Sequence, residues 1–253
     1  MNKAEYFAVK AFSASVIKAG AVSMLNMQHY IENGIETTAA MKTGTLRHLA
    51  VLEPHKLDEY VVADYDGRTK EGKALMAEHG DKLIKSKHYE EAVCARDAVM
   101  SHPAVIDNRL FVDGRAEVPM FWENGEISCK ALIDYLHDNY FIEYKTCQTL
   151  RRFTINAASM FYHLQLGWYW RACKRKCFVV AQEQRPPFDV AVFQVSEALM
   201  SMWHDECMSI IRRYQNGDRT GAFPELLDFE LPPWAQESGE QFLALDSEGD
   251  IQF

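Results

Sequence analysis

Apolar residues recur at helical intervals through the first hundred positions of this chain. Residues 13–32 open with FSASVIKAG, where Ser13 or Ser15 can cap a helix by accepting from a first-turn amide. A second helix is expected over Thr45–Glu53, with Gly44 before it. Pro54 closes it, because proline lacks an amide proton and pushes its predecessor out of helical dihedrals. Asp66-Gly67 marks a turn, RTKEGKALMAEHGDKLI opens another helical stretch, and residues 88–101 carry a further one.

The spacing then changes. From Arg109 to Thr146 apolar and polar residues alternate between the turn pairs Asp113-Gly114, Asn124-Gly125 and Asp138-Asn139, which predicts a meander of strands. A long helix follows over about 150–174, then the strands CFVVAQEQ and DVAVFQV, then an amphipathic helix over 196–215. Helices, then a sheet, then helix–strand–strand–helix predict one α/β domain over 1–224. Its parts are a helical elaboration over about 1–105, a sheet core over about 106–195 and a closing helix over about 196–216. Residues 225–253 form a proline-marked acidic tail, expected to be extended or partly ordered.

Within the meander, LIDYLHDNYFIEYKT (132–146) places carboxylates where strands are otherwise apolar. With a two-residue turn at Asp138-Asn139, His137 faces Tyr140, Tyr135 faces Ile142, and Asp134 faces Glu143. Opposed cross-strand side chains lie about 4.5–5.5 Å apart at Cβ, so the two charges repel unless a proton or cation joins them. Lys145, two residues beyond Glu143, projects from the same face. Paired carboxylates are hard oxygen ligands for Mg²⁺ or Mn²⁺, and a metal beside a lysine is suited to phosphodiester hydrolysis. An Asp–Lys–Glu salt-bridge cluster on a solvated face uses the same residues. The flanking Leu132, Ile133, Phe141 and Ile142 argue for an interior sheet, where an ion pair of convenience is less expected. Gln165 and Tyr169 share one face of the next helix, and His163 falls on another side as an ordinary surface or core histidine.

Composition bounds the partners. At 253 residues and 48% hydrophobic the chain can bury a sizeable core. No window of about 18 apolar residues is present and the amino terminus lacks a signal-peptide pattern, so a cytoplasmic protein without a membrane partner is expected. The six cysteines include no C-x-x-C pair and read as scattered thiols rather than a disulfide framework. The net charge of −9 resides almost wholly in the tail, which has eight Asp and Glu from Glu225 onward and no Lys or Arg. The body is near neutral, with basic clusters at Arg151-Arg152 and Lys174-Arg175-Lys176, so charge does not exclude nucleic acid. Arg47, Arg68, Lys70 and Lys73 are candidate phosphate contacts, each also explained by a solvated helix face.

IDYL, FIEYKT and QLGWY, in that order, resemble the PD-(D/E)xK core of RecB-like nucleases. FSASVIKAG, MKTGTLRHLAVLEP and RTKEGKAL narrow the resemblance, over about residues 12–170, to the family of RecE-type (exonuclease VIII) C-terminal nuclease domains and their phage relatives. The resemblance implies a restriction-endonuclease-like α/β core: a central mixed sheet flanked by helices, with a helical N-terminal elaboration. It implies Asp134, Glu143 and Lys145 as catalytic residues supported by Gln165 and Tyr169. For the metal it implies His48, Asp134, Glu143 and the Tyr144 backbone carbonyl, with Glu117 as an optional further ligand or an exposed strand glutamate.

The implied activity is Mg²⁺-dependent (or Mn²⁺-dependent), ATP-independent 5′-to-3′ digestion of linear double-stranded DNA from its ends, leaving 3′ single strands for recombination. The implied partners are a homo-oligomeric ring and a single-strand annealing protein, in a bacterial or phage-infected cell. A single-strand or endonucleolytic relative and a non-catalytic DNA-binding or assembly protein are the alternatives. Glu143 stands where many relatives carry Asp. The cysteine arrangement of iron–sulfur relatives is missing, so no cluster is expected, and without G-x-x-x-x-G-K-[ST] no ATP use is expected.

Overall fold

A computed structural model describes residues 3–34, 39–222 and 225, with side chains left out for residues 3, 4 and 39–45. The acidic tail, apart from residue 225, lies outside the described residues. The chain opens with helices α1 (Lys3–Ala8), α2 (Ala14–Val22), α3 (Met24–Asn33) and α4 (Ala39–Leu52). The single helix expected over 13–32 is thus two, each with its own serine cap. Ser13 accepts from Val16 N–H at 3.5 Å, and the extended Ser23 ends α2 and accepts from Asn26 N–H at 3.1 Å. Helix α4 begins before the expected Thr45, with Gly44 inside it. Next come a short strand β1 (Val61–Val62), α5 (Lys70–His79), β2 (Leu83–Ile84) parallel to β1, α6 (Ser86–Met100) and α7 (Pro103–Asp107).

The central sheet comprises β3 (Arg115–Asn124), β4 (Ile127–Leu136), β5 (Tyr140–Cys147), β6 (Lys176–Glu183) and β7 (Val190–Val195), in that spatial order. It is mixed: β5 and β6 run parallel and the other neighbours antiparallel. Parallel neighbours need a crossover, here α8 (Phe153–Ser159) and α9 (Tyr162–Cys173). The long helix expected over 150–174 is broken between them, where Phe161 is left-handed at φ 54°. Residues 109–114, expected to begin the first strand, form a turn with Arg109, Phe111 and Asp113 at positive φ. Helix α10 (Glu197–Gln215) closes the described fold.

Helices cover both faces of the sheet, which gives two cores. On one face α2, α3, α9 and α10 pack Ile17, Met24, Met27, Trp168 and Ile211 onto Ile133 and Phe141. On the other, α4, α6 and α7 pack Val51, Val99 and Val105 onto Ile142, Tyr144 and Val180. Trp168 is fully buried and donates to Lys130 O at 3.0 Å, which ties α9 to β4. Gly167 lets α9 close on α10: an added Cβ would lie 2.6 Å from His204 N. No helix among the described residues is long and apolar enough to cross a membrane.

Candidate active site

The hairpin β4–β5 turns at Asp138-Asn139, with His137 N–H donating to Tyr140 O at 2.9 Å. Leu136 pairs with Phe141 and Tyr135 with Ile142, which is the register that the turn length sets. An antiparallel ladder would place its next narrow pair at Ile133 and Tyr144. Instead, Tyr144 N–H donates to Asp134 Oδ2 at 2.9 Å. The strands have splayed, and a carboxylate stands where a backbone carbonyl would have been. The expected direct Asp134–Glu143 ladder pair is thereby corrected: the two face one another across an opened gap.

The neighbouring pair shows the same interruption. In the β3–β4 register Ala116 pairs with Tyr135 and Val118 with Ile133, so Glu117 falls opposite Asp134. Glu117 is left-handed at φ 51°, a conformation costly for a residue with a Cβ. Residues two apart on a strand ordinarily share a face. Here Ala116 packs against one core and Val118 against the other, and Tyr135 and Ile133 divide in the same way. Both strands turn over at this level, where Glu117, Asp134 and, by count along β5, Glu143 fall in one row across three strands.

Glu143 is 1% exposed. Its Oε1 accepts from Lys145 Nζ and, at 2.5 Å, from Gln165 Nε2. Its Oε2 is buried with no hydrogen-bond partner among the described residues. Burial and then the Asp134 charge push the Glu143 carboxyl up to about 7. Burial alone would lower the Lys145 ammonium, but Glu143 and Asp134 outweigh it and hold it above its ordinary value. Gln165 Nε2 also donates to Tyr169 Oη at 3.1 Å, and burial followed by Glu143 and Asp134 raises that phenol.

His48 approaches from α4 on the opposite side of β5, its ring edge-on to Tyr144 at 5.0 Å and bonded to the Tyr144 backbone. Burial, then Lys145, lowers it to about 4, so the imidazole is neutral at ordinary pH and able to ligate a metal. Among the described residues no three His, Cys, Asp or Glu side chains stand close enough to enclose an ion by themselves. The donor set nonetheless fits a hard divalent cation. A buried carboxylate oxygen without a partner is costly, and the Asp134 carboxylate and the His48 imidazole are near enough to act on its charge.

Two further residues join this centre beyond the site residues expected from the sequence. Lys18 of α2 donates to Gln165 Oε1 at 3.3 Å, and burial, then Lys145, lowers it to about 8. Tyr162 lies beneath both lysines, 5.5 Å from Lys18 Nζ and 5.2 Å from Lys145 Nζ. Lys18 stands 147 residues from Gln165, so only tertiary packing reveals it, although FSASVIKAG contains it. His163, expected to be an ordinary surface or core histidine, is partly exposed on α9, 3.6 Å from Glu206, and lines a cavity beside Glu143. Arg47 is buried against Phe188 and donates to Gln184 O at 2.5 Å, whereas Arg68 pairs with Asp66 at 2.9 Å and Lys70 and Lys73 are exposed on α5. The four basic candidates therefore do not form one cluster. All six cysteines are free.

Comparison with known proteins places this fold. A family model described as a PDDEXK-like domain of unknown function (DUF3799) matches residues 8–226. Among solved structures, a putative exonuclease from Eubacterium rectale superposes with a TM-score of 0.63 at 14% identity, covering 94% of this chain and 98% of its own. An alkaline exonuclease from Laribacter hongkongensis gives a TM-score of 0.38 at 12% identity, with 95% of this chain and 100% of its own covered. No curated protein matches the chain.

Proposed function

The chain belongs to the PDDEXK-like family that spans residues 8–226, a nuclease of the PD-(D/E)xK superfamily, and from that premise we propose that it is a divalent-metal-dependent exodeoxyribonuclease. Its substrate is the end of linear double-stranded DNA, digested 5′ to 3′ without ATP to leave 3′ single strands for an annealing protein. Polarity, recombination role, a ring assembly and a cytoplasmic setting follow the resemblance to RecE-type domains. One observation carries the metal-dependent chemistry: the partnerless buried Oε2 of Glu143, in a row of three carboxylates beside Lys145.

Mg²⁺ or Mn²⁺, held by Asp134, Glu143, the Tyr144 carbonyl and His48, with Glu117 beside them, would polarise the scissile phosphate and lower the pKa of a bound water. The chain's own groups do the rest. Lys145 presents a fixed positive charge where the phosphate gains negative charge in the transition state. Gln165 holds the Glu143 carboxylate through its amide and is itself steadied by Tyr169 and Lys18, which fixes the orientation of Oε2.

The test compares linear with covalently closed circular duplex, each labelled separately at the 5′ and 3′ strand ends, with Mg²⁺ and with chelator. Loss of 5′ label from linear DNA alone, abolished by chelator and by Asp134→Ala, is the expected result. Digestion of the closed circle would move the reading to an endonuclease. Full activity of folded Asp134→Ala would overturn the proposed centre.

A further inference from the structure

A cavity of about 520 Å³ opens directly beside Glu143, Lys145 and Gln165, where α8, α9 and α10 meet the sheet. Its size falls within the range of small-molecule sites. Its walls are unlike those of the reactive centre. Phe153 and Phe193 stack with their rings 5.4 Å apart and 18° from parallel. Tyr162 forms the floor beneath the two lysines, and Trp203 stands edge-on to His163 at 6.0 Å. A sugar-phosphate backbone gains little from such walls, whereas a flat aromatic ring gains stacking from them. The anionic part of the same ligand would meet Lys145, which lines the cavity next to Glu143. The His163–Glu206 pair offers both a donor and an acceptor to the polar edge of a ring.

We propose that this cavity receives one nucleobase of the strand being cut, turned out of the duplex stack beside the scissile phosphate. The inference rests on the nuclease reading above and names what that site grips besides phosphate. An aromatic group joined to an anion matches the cavity and its mouth together, which a purely apolar partner segment does not. Stacking on the walls offsets the cost of unstacking the base, and that cost is lowest at a fraying duplex end.

The test has one arm independent of activity. A 2′-deoxynucleoside 5′-monophosphate and 2-deoxyribose 5-phosphate are titrated against the full chain in chelator by calorimetry. The base should tighten binding about tenfold, the gain expected of one stacked base. Ala158→Trp introduces a plug from an exposed position on the cavity rim and should erase that difference. Thr154→Phe, likewise exposed on the rim, serves if the first variant folds poorly.

In the second arm, linear duplexes carry an abasic residue on one side or the other of the first scissile phosphate. Wild type should lose about tenfold in kcat/KM at one of these positions, and Ala158→Trp should be indifferent to the change. Equal binding of the two phosphates, or equal cutting of base and abasic ends, overturns the base pocket, including in favour of a protein docking groove. Absence of metal-dependent digestion of the unmodified duplex overturns the nuclease reading instead, so the two failures are distinguishable.

Discussion

Replacing Glu143 with glutamine isolates the cost of holding a charge in a dry site. Burial and the Asp134 carboxylate raise Glu143 from 4.5 to about 7. Raised above its unfolded value, the group holds its proton more tightly in the folded chain. Its contribution to stability is therefore full below the unfolded pKa and is lost as pH climbs through 7. At about 1.4 kcal/mol for each tenfold change, the loss approaches ~3 kcal/mol above pH 8. Glutamine imitates the protonated acid, keeps an oxygen for Lys145 and has no proton to release. In metal-free buffer the unfolding free energy of Glu143→Gln minus that of wild type should grow by roughly 2–3 kcal/mol from pH 5 to pH 8. Urea titrations at several pH values measure this directly. Added Mg²⁺ should stabilise wild type at pH 8 and have much less effect on the variant, which should also be inactive. A difference that stays constant with pH would refute the account of Glu143 as a destabilised carboxylate awaiting a cation.

Asp134→Ala should cost about 1–3 kcal/mol because it leaves the Tyr144 N–H without an acceptor, whereas Asp134→Asn, which keeps an oxygen, should lose activity with less loss of stability. Denaturant midpoints compared with turnover separate the two effects. Lys18→Met should lower kcat/KM by roughly 10- to 100-fold with the melting temperature little changed, because it loosens Gln165 and removes a positive charge near Lys145. Unchanged kinetics would remove Lys18 from the site. Gly167→Ala should destabilise by about 1–3 kcal/mol by forcing α9 off α10, visible as a fall in melting temperature. Tyr144→Phe removes the buried hydroxyl that donates to Gln182 Oε1 at 2.5 Å and should cost about 1–3 kcal/mol in unfolding free energy, since Gln182 lies fully buried.

Local chemistry was legible in the sequence wherever one residue acts on its near neighbours. Turn residues at Asp138-Asn139 set the hairpin register, and two-residue periodicity placed Glu143 and Lys145 on one side of β5. The order of motifs announced the fold. Helix boundaries were less legible: Ser23 ends one helix and caps the next, and the left-handed Phe161 splits another, although apolar spacing runs through both breaks. Periodicity reports which face is apolar and says little about where the axis turns.

What only the tertiary structure decided is the interior of the site. The sequence sets a register, but β3 and β4 turn over at the level of the left-handed Glu117, and the Asp134 side chain displaces a ladder bond that counting alone would have kept. Lys18 and His48 reach the centre from helices far away in the chain, and the aromatic cavity exists only where α8, α9 and α10 converge on the sheet. The physical reason is range. Caps, turns and alternation are set by steric and hydrogen-bonding choices within a few residues, so sequence determines them. Burial, and with it the displaced pKa of Glu143 and its partnerless oxygen, depends on which distant surfaces exclude water together.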